Sequence, residues 1–203
     1  NTAWGGDPFQ LDPDVPFAEQ PAVKGEFSGS YYPGGGRDAY YNRGHICASQ
    51  DRMCSQEVNE QTFYMTNMMP QVYAFNGGIW AKMEQQLRNW NKSSLRDTLF
   101  IVKGGTIDRE EQILDRTRSG FIVPRYFFMA ILNKKGSDYR ALAFWAEHLN
   151  ADHSNDNLSN YVINIRDLEE KTGIDFFCNL PDNIEERVET QDVALIKTLW
   201  GLK

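Results

Sequence analysis

A hairpin signal in the second half of the chain constrains the fold most. The apolar run inside Phe121 to Leu132 (FIVPRYFFMAIL) and the run Ala141 to Trp145 (ALAFW) flank Lys134-Lys135-Gly136-Ser137-Asp138, a tight-turn segment. Strands joined that closely pair antiparallel, because parallel neighbours need a long crossover. Leu99 to Gly104 (LFIVKG) reads as a further buried strand and Tyr161 to Ile165 (YVINI) as a short one. Helical spacing appears in Ile79, Met83, Leu87 and Trp90, and Arg166 to Thr172 opens a second helix that Gly173 stops. These patterns suit a domain of α/β or α+β type. With 203 residues, 41% of them hydrophobic, one domain suffices.

No apolar run approaches the ~20 residues that span a bilayer, so membrane insertion is not expected. The chain opens at Asn1 without a signal segment, and residues 1–203 are expected to lack an N-terminal part of the full-length protein. Residues 1–36, rich in Gly and Pro, read as a loop that wraps the domain. Gly34-Gly35-Gly36 invites a phosphate-loop reading, but no Gly-Lys-Ser/Thr follows, and a flexible connection accounts for it.

The chemistry is concentrated between Tyr41 and Glu84. Thr62 to Met65 (TFYM) is read as a strand, with Pro70 stopping its ladder, and Asn76 as the start of the helix that follows. Positions 76, 80, 84 and 88 advance by four, so at roughly 100° per residue Asn76, Glu84 and Arg88 fall on one slowly drifting line. An amide oxygen, a carboxylate and a guanidinium so placed suit a magnesium ion with a phosphate attached, because magnesium takes hard oxygen ligands and keeps several waters. His45 adds an imidazole that titrates near neutrality and can activate water, and cations can stabilise the charge developing on a phosphate.

Four ordered pieces carry a family resemblance: Asn42-Arg43-Gly44-His45, Asn67-Met68-Met69-Pro70-Gln71, Asn76-Gly77-Gly78-Ile79-Trp80 and Glu84. They resemble the signature of the ββα-metal DNA/RNA non-specific endonucleases. Thr172-Gly173-Ile174-Asp175-Phe176-Phe177 resembles that family's closing segment, extending the likeness to most of the chain. The resemblance implies an α+β fold, a central mainly antiparallel sheet flanked by helices, and a metal-dependent endonuclease that hydrolyses DNA and RNA with little sequence preference and leaves a 5′-phosphate. By it His45 is the general base and Asn76 the direct ligand of Mg2+, for which Mn2+ can substitute. Glu84 holds the ion through water, Arg43 and Arg88 face the phosphate, and Asn67 positions the substrate or the site. The family usually has Asp where Asn42 stands, leaving a loop-positioning residue with an acceptor oxygen but no charge. The resemblance also implies an additional upstream strand and an exported enzyme, periplasmic, cell-surface or extracellular. A homodimer or a protein inhibitor is not readable from the sequence.

Each piece has an ordinary reading. Four letters such as NRGH arise by chance, Asn76 before a helix suits an N-cap, and Glu84 with Arg88 suits an i,i+4 ion pair. Their order and spacing favour the functional reading. His148, Asp152, His153 and Asp156 fit neither a calcium loop nor a zinc motif, and are read as a polar surface loop. Cys47 and Cys54 are open either to a local disulfide or to two plain buried thiols, with Cys178 left over.

The net charge of −7 opposes electrostatic coating of nucleic acid. A local cationic groove from Arg37, Arg43, Arg52, Arg88 and Arg125 answers that objection. Two rivals share the motifs: a phosphodiesterase for small diesters, and a catalytically weakened nucleic-acid-binding module on the same fold. Few phosphate contacts working against an acidic whole predict that cleavage falls steeply as salt rises. Plasmid cleavage in a salt series checks this, and a rate unchanged up to high ionic strength contradicts it.

Overall fold

The computed structural model describes residues 7–25, 27, 40–94 and 96–202, so Arg37 and the Gly34-Gly35-Gly36 run lie outside the described residues. In chain order the elements are β1 (Asn42–His45), α1 (Gln56–Gln61), β2 (Met68–Gln71), α2 (Tyr73–Phe75) and α3 (Ala81–Lys92). Next come β3 (Thr98–Gly105), β4 (Ile113–Arg116), β5 (Ile122–Pro124), β6 (Tyr126–Lys135), β7 (Asp138–Glu147) and β8 (Val162–Ile163). Helices α4 (Ile165–Thr172), α5 (Asp182–Glu189) and α6 (Val193–Leu199) close the chain.

An antiparallel sheet in the order β3-β6-β7-β8 is the organising layer. Lys135 pairs with Asp138 across Gly136-Ser137, and Gly136 takes φ +58, a value that the tight turn requires and glycine adopts without strain. Side chains alternate with a period of two. Phe127, Met129 and Ile131 of β6, with Leu142 and Phe144 of β7, pack against Met83, Leu87 and Trp90 of α3 and Ile196 of α6. The intervening Phe128, Ala130, Leu132, Ala141 and Ala143 pack against Ile165 and Leu168 of α4 and Val188 of α5. Helices on both faces explain why β6 is continuously apolar instead of alternating. Each fully buried large side chain contributes about 1.5–3 kcal/mol.

Caps set the helix ends. Asn164 Oδ1 accepts from the Asp167 N–H at 2.7 Å to start α4, and Gly173 at φ 71 ends it in the left-handed region. Asp192 caps α6 by accepting from the N–H groups of Ala194 and Leu195.

Three expectations are corrected. Thr62 to Met65 is a turn leading into a 3₁₀ segment (Met65–Asn67), and the strand lies just beyond it as β2. Pro70 sits inside that strand opposite Arg43, because β1 and β2 form a two-stranded ribbon whose outer edges need no donor. LFIVKG is a strand but not a buried one: β3 lies at the sheet edge, with Phe100, Ile101 and Val102 exposed by 47%, 38% and 42%.

His148 is buried, not part of a surface loop. Its Nε2 accepts from the Val72 N–H at 2.8 Å, which makes Nδ1 the donor to the Pro124 carbonyl at 2.9 Å. The ring thus ties the segment after β2 to the end of β5. Burial lowers its pKa from 6.5 to about 4. The unfolded chain therefore binds more protons than the folded one below pH 6.5, and stability falls as pH drops from there toward 4. His148→Leu leaves two buried backbone groups unpaired, at about 1–3 kcal/mol each. Urea midpoints at pH 7 should show that loss, and the variant should lose less between pH 7 and 5 than the wild type does.

Candidate active site

Strand β1 presents the first cluster. Asn42, Arg43, Gly44 and His45 pair in register with Gln71, Pro70, Met69 and Met68. A Cβ on Gly44 would lie 2.3 Å from Cδ of the fully buried Gln71, so only glycine lets the ribbon close there. His45 packs edge-on against Phe63 at 4.8 Å and lies tilted to Phe9 at 5.9 Å. Its Nε2 is buried and has no hydrogen-bond partner among the described residues. Burial, with the positive charges of Arg43 and Lys103, lowers the pKa of His45 from 6.5 to about 4. The ring is therefore neutral at physiological pH, and a neutral imidazole keeps one nitrogen that can accept.

Neighbours hold this strand in place. The Trp80 indole N–H donates to the His45 carbonyl at 3.2 Å. Asn67 uses its whole amide on backbone: Oδ1 accepts from the Cys47 N–H at 2.9 Å, and Nδ2 donates to the carbonyls of Cys47 and Thr62 at 2.9 and 2.7 Å. The loop leaving His45 is thereby fixed. Arg43 lies with its guanidinium 3.4 Å from the Phe9 ring centroid and donates to the Val23 carbonyl at 3.4 Å.

Asn76 does not begin a helix. The chain is already helical at Tyr73 and remains so at Asn76, at φ −59 and ψ −50, until Gly78, at φ −99 and ψ −109, kinks it before α3. The kink breaks the four-residue line from 76 to 84, and Trp80, expected on that line, is buried in the core. Asn76 instead shares a cavity of about 600 Å³ with Asn42 and Arg43.

Glu84 and Arg88 lie on α3, but they are not paired with each other. Glu84 Oε1 accepts from the Lys103 ammonium at 3.2 Å, Lys103 also lies 3.2 Å from Asp51 Oδ2, and Asp51 Oδ1 lies 3.3 Å from Arg88. Burial raises the Glu84 pKa, and Lys103 opposes that shift. Arg88, Asp51 and Lys103 line a second cleft of about 720 Å³, together with Cys47, Arg52 and Lys92. Arg125 stands elsewhere, donating to the Ile113 carbonyl at 3.3 Å.

The other polar groups are accounted for separately. His153 Nδ1 bonds Asp156 Oδ2 at 2.9 Å, Tyr161 donates to the same oxygen at 2.5 Å, and His148 is far inside, so the four residues of that segment form no common site. All three cysteines are free. Glu169, Asp175 and Glu189 converge to within 4.8 Å beside α4 and α5, where Arg166 pairs with Glu169 and Glu189. Burial and the Glu169 charge push Glu189 up to about 7. None of the site residues belongs to that group.

Sequence reading missed Phe9, Asp51 and Lys103. Lys103 carried a signal, a single charge inside the apolar LFIVKG, since lysine is rarely buried without a partner. Asp51 and Phe9 carried none, because their partners are distant in sequence.

The family model for DNA/RNA non-specific endonucleases matches residues 1–183. The chain belongs to that family. It is 30% identical over 200 residues to a nuclease of Nostoc sp., covering 94% of this chain and 69% of that one. It is 28% identical to nuclease C1 of Cunninghamella echinulata (85% and 67% covered) and 27% identical to the mitochondrial nuclease EXOG of Xenopus laevis (85% and 48%). Thus it spans between about half and two thirds of these relatives' lengths. A chain in the crystal structure of the EndoG/EndoGI complex matches with a TM-score of 0.60 at 20% identity, over 70% of this chain and 60% of that one, a likeness of fold. The expectation of export is overturned, because relatives from Xenopus, mouse and two yeasts are named mitochondrial nucleases.

Gly44→Ala should destabilise the protein by about 1–3 kcal/mol through overpacking against Gln71. Gln71→Ala in the same chain should recover part of that loss. A denaturation double-mutant cycle measures the coupling, and additive losses would separate the two positions.

Proposed function

We propose that the protein is a magnesium-dependent endonuclease that hydrolyses phosphodiester bonds of DNA and RNA with little sequence preference. The observation that carries this reading is His45: a neutral ring with a buried, unpartnered Nε2, fixed on a strand shared with Arg43 and clamped by Trp80. Hard oxygen donors fit the ion, with the Asn76 amide as direct ligand and Glu84 acting through water. When bound, the ion would neutralise phosphate charge and stabilise the leaving oxygen.

The chain's own residues do the rest. His45 Nε2 takes the proton of the attacking water, which becomes the nucleophile at phosphorus. Arg43 and Arg88 meet the phosphate and the negative charge that grows on it. Asn67 and Asn42 hold the strand and loop from which the ring projects. The bond to the 3′ oxygen breaks and leaves a 5′-phosphate. Contacts to phosphate carry no base identity, which accounts for broad substrate use.

Supercoiled plasmid should be nicked and linearised with magnesium and left intact with chelator. His45→Ala should lose about 10²–10⁴-fold in rate, the usual contribution of a positioned base. The base works deprotonated, and burial holds His45 near 4, so the acid limb should lie near pH 4 and not in the ordinary imidazole range. A kcat/KM profile flat from pH 6 to 8 fits; a limb near 6.5 that persists in the residual activity of His45→Ala places the base elsewhere.

A further inference from the structure

Lys103 is the buried charge of an otherwise exposed edge. Its side chain is 6% exposed, whereas Phe100, Ile101 and Val102 just before it on β3 face outward. Taking an ammonium out of water is costly unless anions receive it, so the position is specified by what it touches. It touches two carboxylates, Glu84 on α3 and Asp51 in the 3₁₀ turn (Ser49–Asp51) that follows His45. Asp51 in turn holds Arg88. Carboxylate, ammonium, carboxylate and guanidinium therefore alternate in one chain across a strand, a helix and a loop.

On the reading of this site as a magnesium nuclease, we propose that Lys103 is a positioning residue. It grips Oε1 of Glu84 so that the other carboxylate oxygen faces metal-bound water, and through Asp51 it sets Arg88 toward the phosphate. Glu84 and Arg88 are one helical turn apart and opposite in charge, and without the intervening pair they would turn to each other, as i,i+4 partners do. Lys103 and Asp51 separate them. Each then keeps one engaged side and one side for the site.

The test titrates magnesium chloride calorimetrically into wild type, Lys103→Met, Lys103→Arg and Asp51→Asn, without nucleic acid, at a temperature where each melting curve shows a folded protein. Plasmid cleavage is then measured for kcat and KM. Lys103→Met should weaken magnesium binding about 10–100-fold and lower kcat, as loss of a group orienting a metal-site residue does. Lys103→Arg should restore most of the affinity, since a guanidinium can also bridge two carboxylates. Asp51→Asn should raise KM more than it lowers kcat. A purely structural lysine would lower the melting temperature and leave all three quantities unchanged in the folded variants, which overturns the assignment. Should Lys103→Met fail to fold, an unchanged KM in Asp51→Asn overturns it equally. A wild type that binds no magnesium removes the metal reading and the assignment together, whereas a wild type and Lys103→Met that bind equally well remove only the assignment.

Discussion

Burial of one helix against one sheet fixes where the chemistry stands. Met83, Leu87 and Trp90 of α3 lie on Phe127, Met129 and Phe144, and the apolar contact leaves no freedom to rotate the helix without exposing large side chains. Glu84 and Arg88 occupy the flank of that same helix, so their direction follows from core packing. Beyond the kink at Gly78, Trp80 is buried in the core, and its N–H reaches the His45 carbonyl. A hydrophobic seat thus orients the polar groups beside it.

What could be read from the sequence follows the range of each signal. The hairpin and α4 with its stop at Gly173 are local patterns, and they appear where the pattern puts them. Pro70 and Asn76 misled because their usual meanings, strand breaker and N-cap, depend on whether a neighbour needs the donor or the helix has already begun. Lys103, Asp51 and Phe9 act across the fold, through partners that no local window contains. His148 hid for the opposite reason: a segment rich in Asn and Asp made a core residue look like a surface one.

Charge that looks unfavourable in total is segregated in space. The cleft beside α3 gathers Arg52, Arg88, Lys92 and Lys103 against Asp51. The hollow between α4 and α5 gathers seven acidic residues around Arg166. These helices pack on opposite faces of the sheet, so a polyanion meets a different sign of field according to its side of approach.

The Phe9 ring lies close over the Arg43 guanidinium, and this has a directional consequence. One face of a flat cation is covered by an aromatic, so a base or a second ring has no room to stack there. What remains open is the opposite face and the rim of the plane, where the N–H groups project. One of them already serves the Val23 carbonyl, so the others present the fork geometry that fits two oxygens of one anion better than a lone carbonyl or hydroxyl. A covered face thus narrows the directions from which Arg43 can be met.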